Sequence, residues 1–296
     1  MSDTIASLQR QISSAGDLQS VVRTMKALAA SSIGQYEQSV HALADYWRTV
    51  ELGLSVCLRQ GERATAIQPS RNVKGPGVIG AIVFGSDQGL VGQFNDIIAD
   101  YAIKKLSALP GKPLVWAVGE RVHDRLADAG LTMAGRFAVP NSVKAITPLV
   151  AKIQIQSESQ RAKRSCEQIY IFHNHPQTGS LYEPVSQRLL PLDEIWQKQL
   201  TKVPWPTKIL PEVLNDLPST LRSLIRGYLF ISLFRACAES LASENASRLA
   251  AMQRAEKNID DLLEQLHGDF HRLRQSSIDE ELFDVVSGYE ALEKDG

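Results

Sequence analysis

A glycine-rich loop directly after a predicted strand is the first segment whose residues could do chemistry. The continuous apolar run Val78–Phe84 predicts a buried strand, and residues 85–92 (Gly-Ser-Asp-Gln-Gly-Leu-Val-Gly) follow it. Phosphate-binding loops occupy this place in α/β folds, because the N-terminus of the next helix attracts anions. The loop lacks the lysine of a P-loop and the glycine spacing of a dinucleotide site. These residues therefore favour a tight turn over a phosphate site.

Two pairs of histidines could supply nitrogen ligands to a metal ion. His173 and His175 flank Asn174, and His267 and His271 are one helical turn apart. Neither pair has the neighbouring Glu or Cys residues that complete a usual site, so the sequence predicts no metal ion. We interpret the first pair as polar loop positions and the second as part of an exposed helix face.

The sequence gives little support for a cysteine-based site or for a catalytic nucleophile. Cys57, Cys166 and Cys237 are far apart and form no C-x-x-C pair, which predicts packed, reduced thiols and neither a zinc site nor a disulfide. No G-x-S-x-G motif accompanies a possible nucleophile. We therefore expect no catalytic residue and no cofactor in this chain.

The composition limits the possible partners and location of the chain. Its 296 residues carry a formal charge of −1, with acidic and basic residues interleaved, which disfavours a nucleic-acid partner. No run of about 18 apolar residues predicts a membrane span, and the N-terminus has no basic start followed by an apolar signal core. We expect a cytoplasmic protein of one or two domains that could still contact a membrane complex.

The distribution of proline indicates the domain organisation. All 13 prolines lie between Pro69 and Pro218, so the segments on either side could each form one uninterrupted helix. A helix covering the last segment would be on the order of 110 Å long at about 1.5 Å per residue. This pattern predicts an N-terminal coiled-coil helix over residues 1–65, a central α/β domain over 66–212 and a C-terminal coiled-coil helix over 213–296.

Apolar residues in both terminal segments recur at steps of three and four. In the first segment they include Ile5, Leu8, Ile12, Ala15, Leu18, Val22 and Met25. In the last they include Ile259, Leu262, Leu266, Phe270 and Leu273, and a further group near the C-terminus includes Leu282 and Val285. Two such stripes in one chain predict an antiparallel coiled coil, because that packing buries both. A partner should sheathe the part of the helices that lies furthest from the α/β domain.

In the central segment, predicted strands alternate with predicted helices. The predicted strands are 78–84, 114–118 and 168–173, and the predicted helices are about 95–109, 119–129 and 143–156. This alternation favours an open, parallel, Rossmann-like sheet. The prolines from Pro176 to Pro211 are expected to break the following chain into short extended pieces.

Three blocks of sequence carry a resemblance to a known family. Residues 25–31 read Met-Lys-Ala-Leu-Ala-Ala-Ser, and residues 86–92 read Ser-Asp-Gln-Gly-Leu-Val-Gly. Residues 239–252 read Glu-Ser-Leu-Ala-Ser-Glu-Asn-Ala-Ser-Arg-Leu-Ala-Ala-Met, continued by Arg-Leu-Arg-Gln-Ser-Ser-Ile at 272–278. Together the blocks resemble the gamma subunit of F-type ATP synthases, the central rotor shaft, over essentially the whole chain.

The resemblance implies a mechanical function and a set of partners. In that family the coiled coil penetrates a hexamer of alternating alpha and beta subunits. The α/β domain forms a foot on the epsilon subunit and on the membrane ring of c subunits. The resemblance therefore implies one non-catalytic copy per complex, peripheral on the inner face of the cell membrane, coupling ion flow through the c-ring to ATP synthesis or hydrolysis by rotation.

The resemblance also assigns residues to roles. Positions that match beta-subunit contacts are Arg274, Gln275, Met25, Arg23, Glu244 and Arg248. Positions that match the signature loop of the foot are Ser86, Asp87, Gly89, Leu90, Gly92 and Asn95.

The chain departs from the common family pattern at several places. Ser32 stands where many relatives have Lys, Val91 replaces a cysteine, and Asp279 and Glu280 replace Thr and Gln. These departures are compatible with a variant rotary ATPase that has its own matched subunits and that pumps either H⁺ or Na⁺. Two alternatives stay open: a small nucleotide-binding α/β enzyme whose helices dimerise, and a passive coiled-coil scaffold.

Overall fold

The computed structural model describes residues 4–61, 77–164, 166–177, 180–192, 194–209, 211–213 and 216–294. In these ranges the elements are α1 (Ile5–Ala42), α2 (Ala44–Gly61), β1 (Val78–Phe84), α3 (Phe94–Ser107), β2 (Lys112–Val118), α4 (Glu120–Asp128), β3 (Thr132–Phe137), α5 (Val143–Arg164), β4 (Cys166–Gln177), β5 (Ser180–Leu190), α6 (Glu194–Leu200) and α7 (Leu217–Lys294). None of the described helices is both long enough and apolar enough to cross a membrane.

The chain divides into two compact units. The first unit contains Met1–Ala29 and Leu249–Gly296, and the second contains Ala30–Arg248. Helices α1 and α7 each contribute to both units, and the sheet lies wholly in the second.

In the first unit, α1 and α7 pair antiparallel. Gln19 hydrogen-bonds Asp260, and the Glu256 carboxylate pairs with both Arg23, at 2.9 Å between Nε and Oε1, and Lys26. Residue numbers rise along α1 as they fall along α7, as an antiparallel coil requires. Buried apolar residues of this unit include Leu8, Ala15, Ala29 and Met252. The predicted antiparallel pairing of the terminal helices is confirmed.

The predicted uninterrupted N-terminal helix is wrong at one residue. Helix α1 ends at Ala42 and α2 begins at Ala44, and the Leu43 N–H donates to the Val40 carbonyl at 3.2 Å. A bond from residue i to i−3 is tighter than the helical bond to i−4 and marks a local irregularity. After it, α2 places Val50 and Leu54 in the buried core of the second unit.

The second unit is built on a five-stranded sheet of order β3-β2-β1-β4-β5. Strands β1 to β4 are parallel to one another, and β5 runs antiparallel to β4. The predicted strands and helices from 78 to 129 are confirmed within a few residues, and the sheet is mostly parallel as expected.

Two edge strands were not predicted. Strand β3 contains a threonine, a glycine and an arginine in six residues, so it lacks the continuous apolar run of a central strand. Strand β5 contains Pro184, which lies opposite Asn174, and it pairs only with β4 in the described sheet. An edge strand tolerates proline because the missing N–H can face away from the sheet. The prediction of short extended pieces is therefore wrong for residues 180–190.

Each face of the sheet has its own apolar core. Ile82 and Trp116 point into one cluster, which also contains residues of α2, α5 and the first half of α7. Ala81 and Val115, their neighbours in sequence, point into the opposite cluster with residues of α3 and α4. Because side chains alternate along a strand, the continuous apolar runs of β1 and β2 fill both cores.

Removing one core side chain should measure how far α2 contributes to the stability of this unit. Leu54 is fully buried, so Leu54→Ala is expected to lower the free energy of unfolding by about 2 to 5 kcal/mol through lost transfer energy and a residual cavity. The matched control is Leu18→Ala, since the Leu18 side chain is 59% exposed. Urea denaturation should separate the two variants. Equal effects would contradict the assignment of α2 to the core.

Candidate functional site

The loop after β1 is closed by its own polar side chains. The Asn95 Oδ1 atom accepts a hydrogen bond from the Ser86 N–H at 2.9 Å, and the Asn95 Nδ2 donates to Ser86 Oγ at 2.8 Å. Ser86 Oγ in turn donates to the Gln88 carbonyl at 2.8 Å. Asn95 lies in the first turn of α3, so this network ties the loop to the helix that follows it.

Asp87 fixes the same loop to the neighbouring strand-to-helix connection. Its Oδ1 accepts from the backbone N–H of Glu120, at the first residue of α4, and its Oδ2 accepts from the Val139 N–H, at 2.9 and 2.8 Å. Gly119, with a φ of 115°, lies against Ser86, where a Cβ atom would be 2.8 Å from the Ser86 backbone. Only glycine fits this close approach without strain.

These contacts argue against a phosphate-binding role for the loop. A phosphate site at a helix N-terminus uses free backbone N–H groups and the positive end of the helix dipole. At α4 the Asp87 carboxylate already satisfies one such N–H group, and its negative charge would repel a phosphate. The predicted tight turn at the strand end accounts for the loop better.

The end of the loop has an unusual backbone conformation. Leu90 has a φ of 61° and Gly92 a φ of 57°, both in the left-handed region. The Leu90 side chain is 62% exposed, whereas the adjacent Val91 is buried. Gly89 is half-buried and Gly92 is exposed. The turn therefore projects one large apolar side chain outward and one inward.

Serines of α7 hold this loop and strand β4 to the helix. The Ser247 hydroxyl donates to the Val91 carbonyl at 2.6 Å, and the Ser243 hydroxyl donates to the Asn174 carbonyl at 3.0 Å. The Asn174 side chain donates to the Phe94 carbonyl at 3.1 Å. All of these side chains are buried, so α7, β4 and the loop form one polar network inside the second unit.

Two of the residues assigned to beta-subunit contacts pair with each other. Arg248 lies one helical turn after Glu244, and its guanidinium contacts the Glu244 carboxylate at 2.7 Å. Their side chains are only 13% and 7% exposed. Burial raises the pKa of Glu244, although the nearby Arg248 lowers it. The pair thus lies in the interior of the second unit, and its contact with another subunit stays a prediction.

The other four assigned residues lie in the first unit. Arg23 is more than half exposed while it pairs with Glu256, and Met25 is half-buried on the same helix. Arg274 and Gln275 are exposed on α7. They are therefore accessible for contact with another chain.

An exposed apolar stripe follows Arg274 and Gln275 on α7. Its members, spaced three and four residues apart, are Ile278, Leu282, Val285 and Val286, with exposures from 47 to 71%. If the pairing of Arg23 with Glu256 continues in register, Ile5 lies opposite residues near 274. No described residue of α1 is then available to cover this stripe.

The interpretation of His173 and His175 as loop residues is wrong. Both lie within β4, two residues apart and so on the same face, and both approach the Glu239 carboxylate of α7. The prediction that this pair lacks a Glu partner is also wrong. Glu239 is 66 residues from His173 in sequence, so local spacing gave no sign of it. His267 and His271 are exposed on a helix, as expected.

The thiols that the structure describes are inert in character. Cys57 and Cys237 are free and buried, and burial raises the pKa of each thiol. A raised pKa keeps the thiol protonated and unreactive. The prediction of packed, reduced thiols is confirmed for these two, whereas the Cys166 side chain lies outside the described residues.

Two long terminal helices that pair antiparallel, with a mostly parallel α/β domain between them in sequence, define a coiled-coil protein with an inserted α/β domain. The ATP synthase family model matches residues 4–292. Because this match covers nearly the whole chain, the chain belongs to the ATP synthase family.

Relatives and solved structures agree with this assignment. The chain is 24% identical to the ATP synthase gamma chain of Nautilia profundicola, covering 98% of this chain and 99% of the relative. It is 27% identical to the ATP synthase gamma chain of Desulforudis audaxviator, covering 96% and 98%. The rotor of the Euglena gracilis mitochondrial ATP synthase has the same fold, with a TM-score of 0.62, 14% identity and coverage of 93% and 98%. The resemblance to the gamma subunit is confirmed.

The Ser247 hydrogen bond provides a test of the network between the loop and α7. Ser247→Ala removes one of two donors to the buried Val91 carbonyl, which keeps its bond from the Phe94 N–H at 3.3 Å, and should lower the free energy of unfolding by about 0.5 to 1.5 kcal/mol. Ser223→Ala is the matched control, because the exposed Ser223 hydroxyl bonds only the Ser219 carbonyl of its own helix in the described contacts. Denaturant titration and amide exchange at residues 86–92 should report the difference, and a neutral Ser247→Ala would contradict the network.

Proposed function

We propose that this chain is the gamma subunit of a rotary ATP synthase and acts as its non-catalytic central shaft. The observation that carries the proposal is the exposed apolar stripe on α7 from Ile278 to Val286, in a chain that belongs to the ATP synthase family. Isolated soluble proteins rarely leave such a stripe open to water, so it favours a surrounding apolar sleeve. A hexamer of alternating alpha and beta subunits supplies that sleeve.

The proposed mechanism is mechanical. An asymmetric shaft presents different faces to the beta subunits as it turns, and each face stabilises a different nucleotide state by its contact energy. Only such differential contacts can shift a conformational equilibrium, so the shaft requires no catalytic group. The Asp87 carboxylate at the start of α4 supports this role over that of a nucleotide-binding enzyme.

The two ends of the proposed shaft have separate partners. The antiparallel pair of α1 and α7 in the first unit is the part of the chain that enters the hexamer. The α/β domain of the second unit forms a foot on the epsilon subunit and the c-ring. One copy per complex then sits at the inner face of the cell membrane without crossing it. The solved relative of Tetrahymena thermophila, a central stalk with its c-ring at a TM-score of 0.56 and 23% identity, supports the fold that this arrangement uses.

Within the hexamer we assign the beta-subunit contacts to the exposed residues of the first unit. Arg274 and Gln275 precede the apolar stripe, and a guanidinium beside an amide can hydrogen-bond the carbonyl and carboxylate groups of a beta-subunit loop. Arg23 and Met25 supply a second contact on α1. Glu244 and Arg248 are a third proposed beta-subunit contact, although they pair with each other and are largely buried in the free chain.

Removing the proposed contact should reduce coupling without unfolding the chain. The double variant Arg274→Ala with Gln275→Ala is expected to assemble normally but to lower ATP-driven ion pumping relative to ATP hydrolysis, because both side chains are exposed in the free chain. Arg222→Ala is the matched control, since Arg222 is an exposed arginine of α7 in the second unit. Wild-type pumping by the double variant would refute the assigned contact.

Assembly tests the proposed function directly. Co-expression with the alpha and beta subunits of the same source should yield a complex with one copy of this chain per hexamer and a stimulated, cooperative Mg-ATPase. The paired change Leu282→Asp with Val285→Asp should weaken assembly, because it places charge on the apolar stripe. Failure of the wild-type chain to join folded alpha and beta subunits would refute the shaft. Binding of ATP or NAD by the isolated chain, measured by calorimetry, would favour the nucleotide-binding enzyme.

A further inference from the structure

Two histidines of β4 and one glutamate of α7 converge in the second unit. His173 and His175 are two residues apart on one strand, so both side chains leave the same face of the sheet. That face packs against α7, which presents Glu239 to them. One ligand atom from each of the three residues lies within 4.8 Å of the others.

The two imidazoles share a single carboxylate oxygen. His173 Nε2 lies 2.8 Å from Glu239 Oε2, and His175 Nδ1 lies 2.9 Å from the same atom. The other oxygen, Oε1, accepts a hydrogen bond from Arg235 Nε at 2.6 Å. Arg235 therefore orients the carboxylate and leaves Oε2 directed at the two histidines.

Burial and the neighbouring charges shift the pKa of two members of the cluster. Burial lowers the pKa of His173 and outweighs the Glu239 carboxylate, which raises it. Its Nδ1 atom is buried without a hydrogen-bond partner among the described residues. Burial alone would raise the pKa of Glu239, but hydrogen bonds from His173 and Arg235 lower it to about 2.

We propose that His173, His175 and Glu239 bind a divalent transition-metal ion of the zinc type. Two imidazole nitrogens and one carboxylate oxygen are a common ligand set for Zn²⁺, and histidines at i and i+2 of a strand can both reach one ion. Tetrahedral ligands at about 2.0 to 2.1 Å from zinc are about 3.3 Å apart, so the two His–Glu contacts need to open by about half an ångström, and the two imidazole nitrogens already lie within 4.8 Å of each other.

The fourth ligand of the ion comes from solvent. A cavity of about 290 Å³ adjoins the three ligands and is lined also by Ser186, Gln187 and Ser232. The His175 side chain is 37% exposed, which gives an ion a path from solvent to the site. Water in this cavity completes the tetrahedron.

The bound ion links strand β4 to helix α7, because both elements supply its ligands. The contact lies four residues before Ser243, whose hydroxyl bonds the Asn174 carbonyl. Metal and serine then hold the same short stretch of strand against the helix. A coordination bond resists shear better than a hydrogen bond, and this stiffens the second unit whatever its partners are.

Metal binding to the full-length isolated chain tests the proposal. After treatment with a chelator, the chain should bind about one Zn²⁺ in a calorimetric titration, with a raised melting temperature, and Co²⁺ should give the visible absorption of a tetrahedral site. His175→Gln and Glu239→Gln should each weaken binding at least about tenfold. The matched control is the double variant His267→Gln with His271→Gln, which removes the exposed histidine pair and should leave this binding unchanged.

The possible outcomes separate a metal site from a hydrogen-bonded cluster. If Glu239→Gln fails to fold, as circular dichroism would show, the partly exposed His175→Gln variant still decides the question. No bound Zn²⁺, or binding that survives His175→Gln but is lost in the His267 and His271 control, would overturn the proposal. These readouts need no partner subunit, so their failure leaves the shaft function unaffected.

Discussion

The buried polar seam between α7 and the sheet is the constraint on which the second unit depends. Over residues 231–247 the helix presents mostly small side chains, which let the backbone of β4 and of the loop after β1 approach closely. Ser243 and Ser247 then donate hydrogen bonds to the Asn174 and Val91 carbonyl groups in the interior. A buried hydrogen bond adds modest stability, but a missing partner costs more, so the seam specifies one alignment of helix and sheet.

The first unit differs from the second, because much of its apolar surface is exposed. Few of its apolar residues are buried, its ion pairs are partly exposed, and the stripe from Ile278 to Val286 is open to water. Exposed ion pairs contribute little stability, so the isolated coil gains little free energy of folding from these contacts. Its surface has the character of an interface, as the proposed shaft function requires.

Much of the fold could be predicted from local sequence. The continuous apolar runs of β1 and β2 and the proline-free terminal segments indicate central strands and long helices, and the three- and four-residue spacing indicates their pairing. Strands β3 and β5 were missed because an edge strand can carry glycine, proline and charge without losing its single row of hydrogen bonds. The break at Leu43 has no glycine or proline to mark it.

The contents of the candidate sites depended on contacts between distant residues. The resemblance selected Ser86, Asp87 and Asn95, but their roles as turn closure and as a contact to α4 emerge only when β1 and α4 are adjacent. The cluster of His173, His175 and Glu239 shows this dependence more clearly. The alternation of side chains along β4 places two histidines on one face, but the carboxylate belongs to α7, which is distant in sequence. The periodicity of a sequence predicts which side chains share one face of a helix or strand. It does not predict which other element packs against that face.

Rotation of the chain inside its complex is the central claim, and single-molecule observation tests it most directly. With the alpha and beta subunits fixed to a surface and a probe attached to the α/β domain, Mg-ATP should drive the probe in one direction and its removal should stop it. A complex that hydrolyses ATP while the probe stays still would contradict the account.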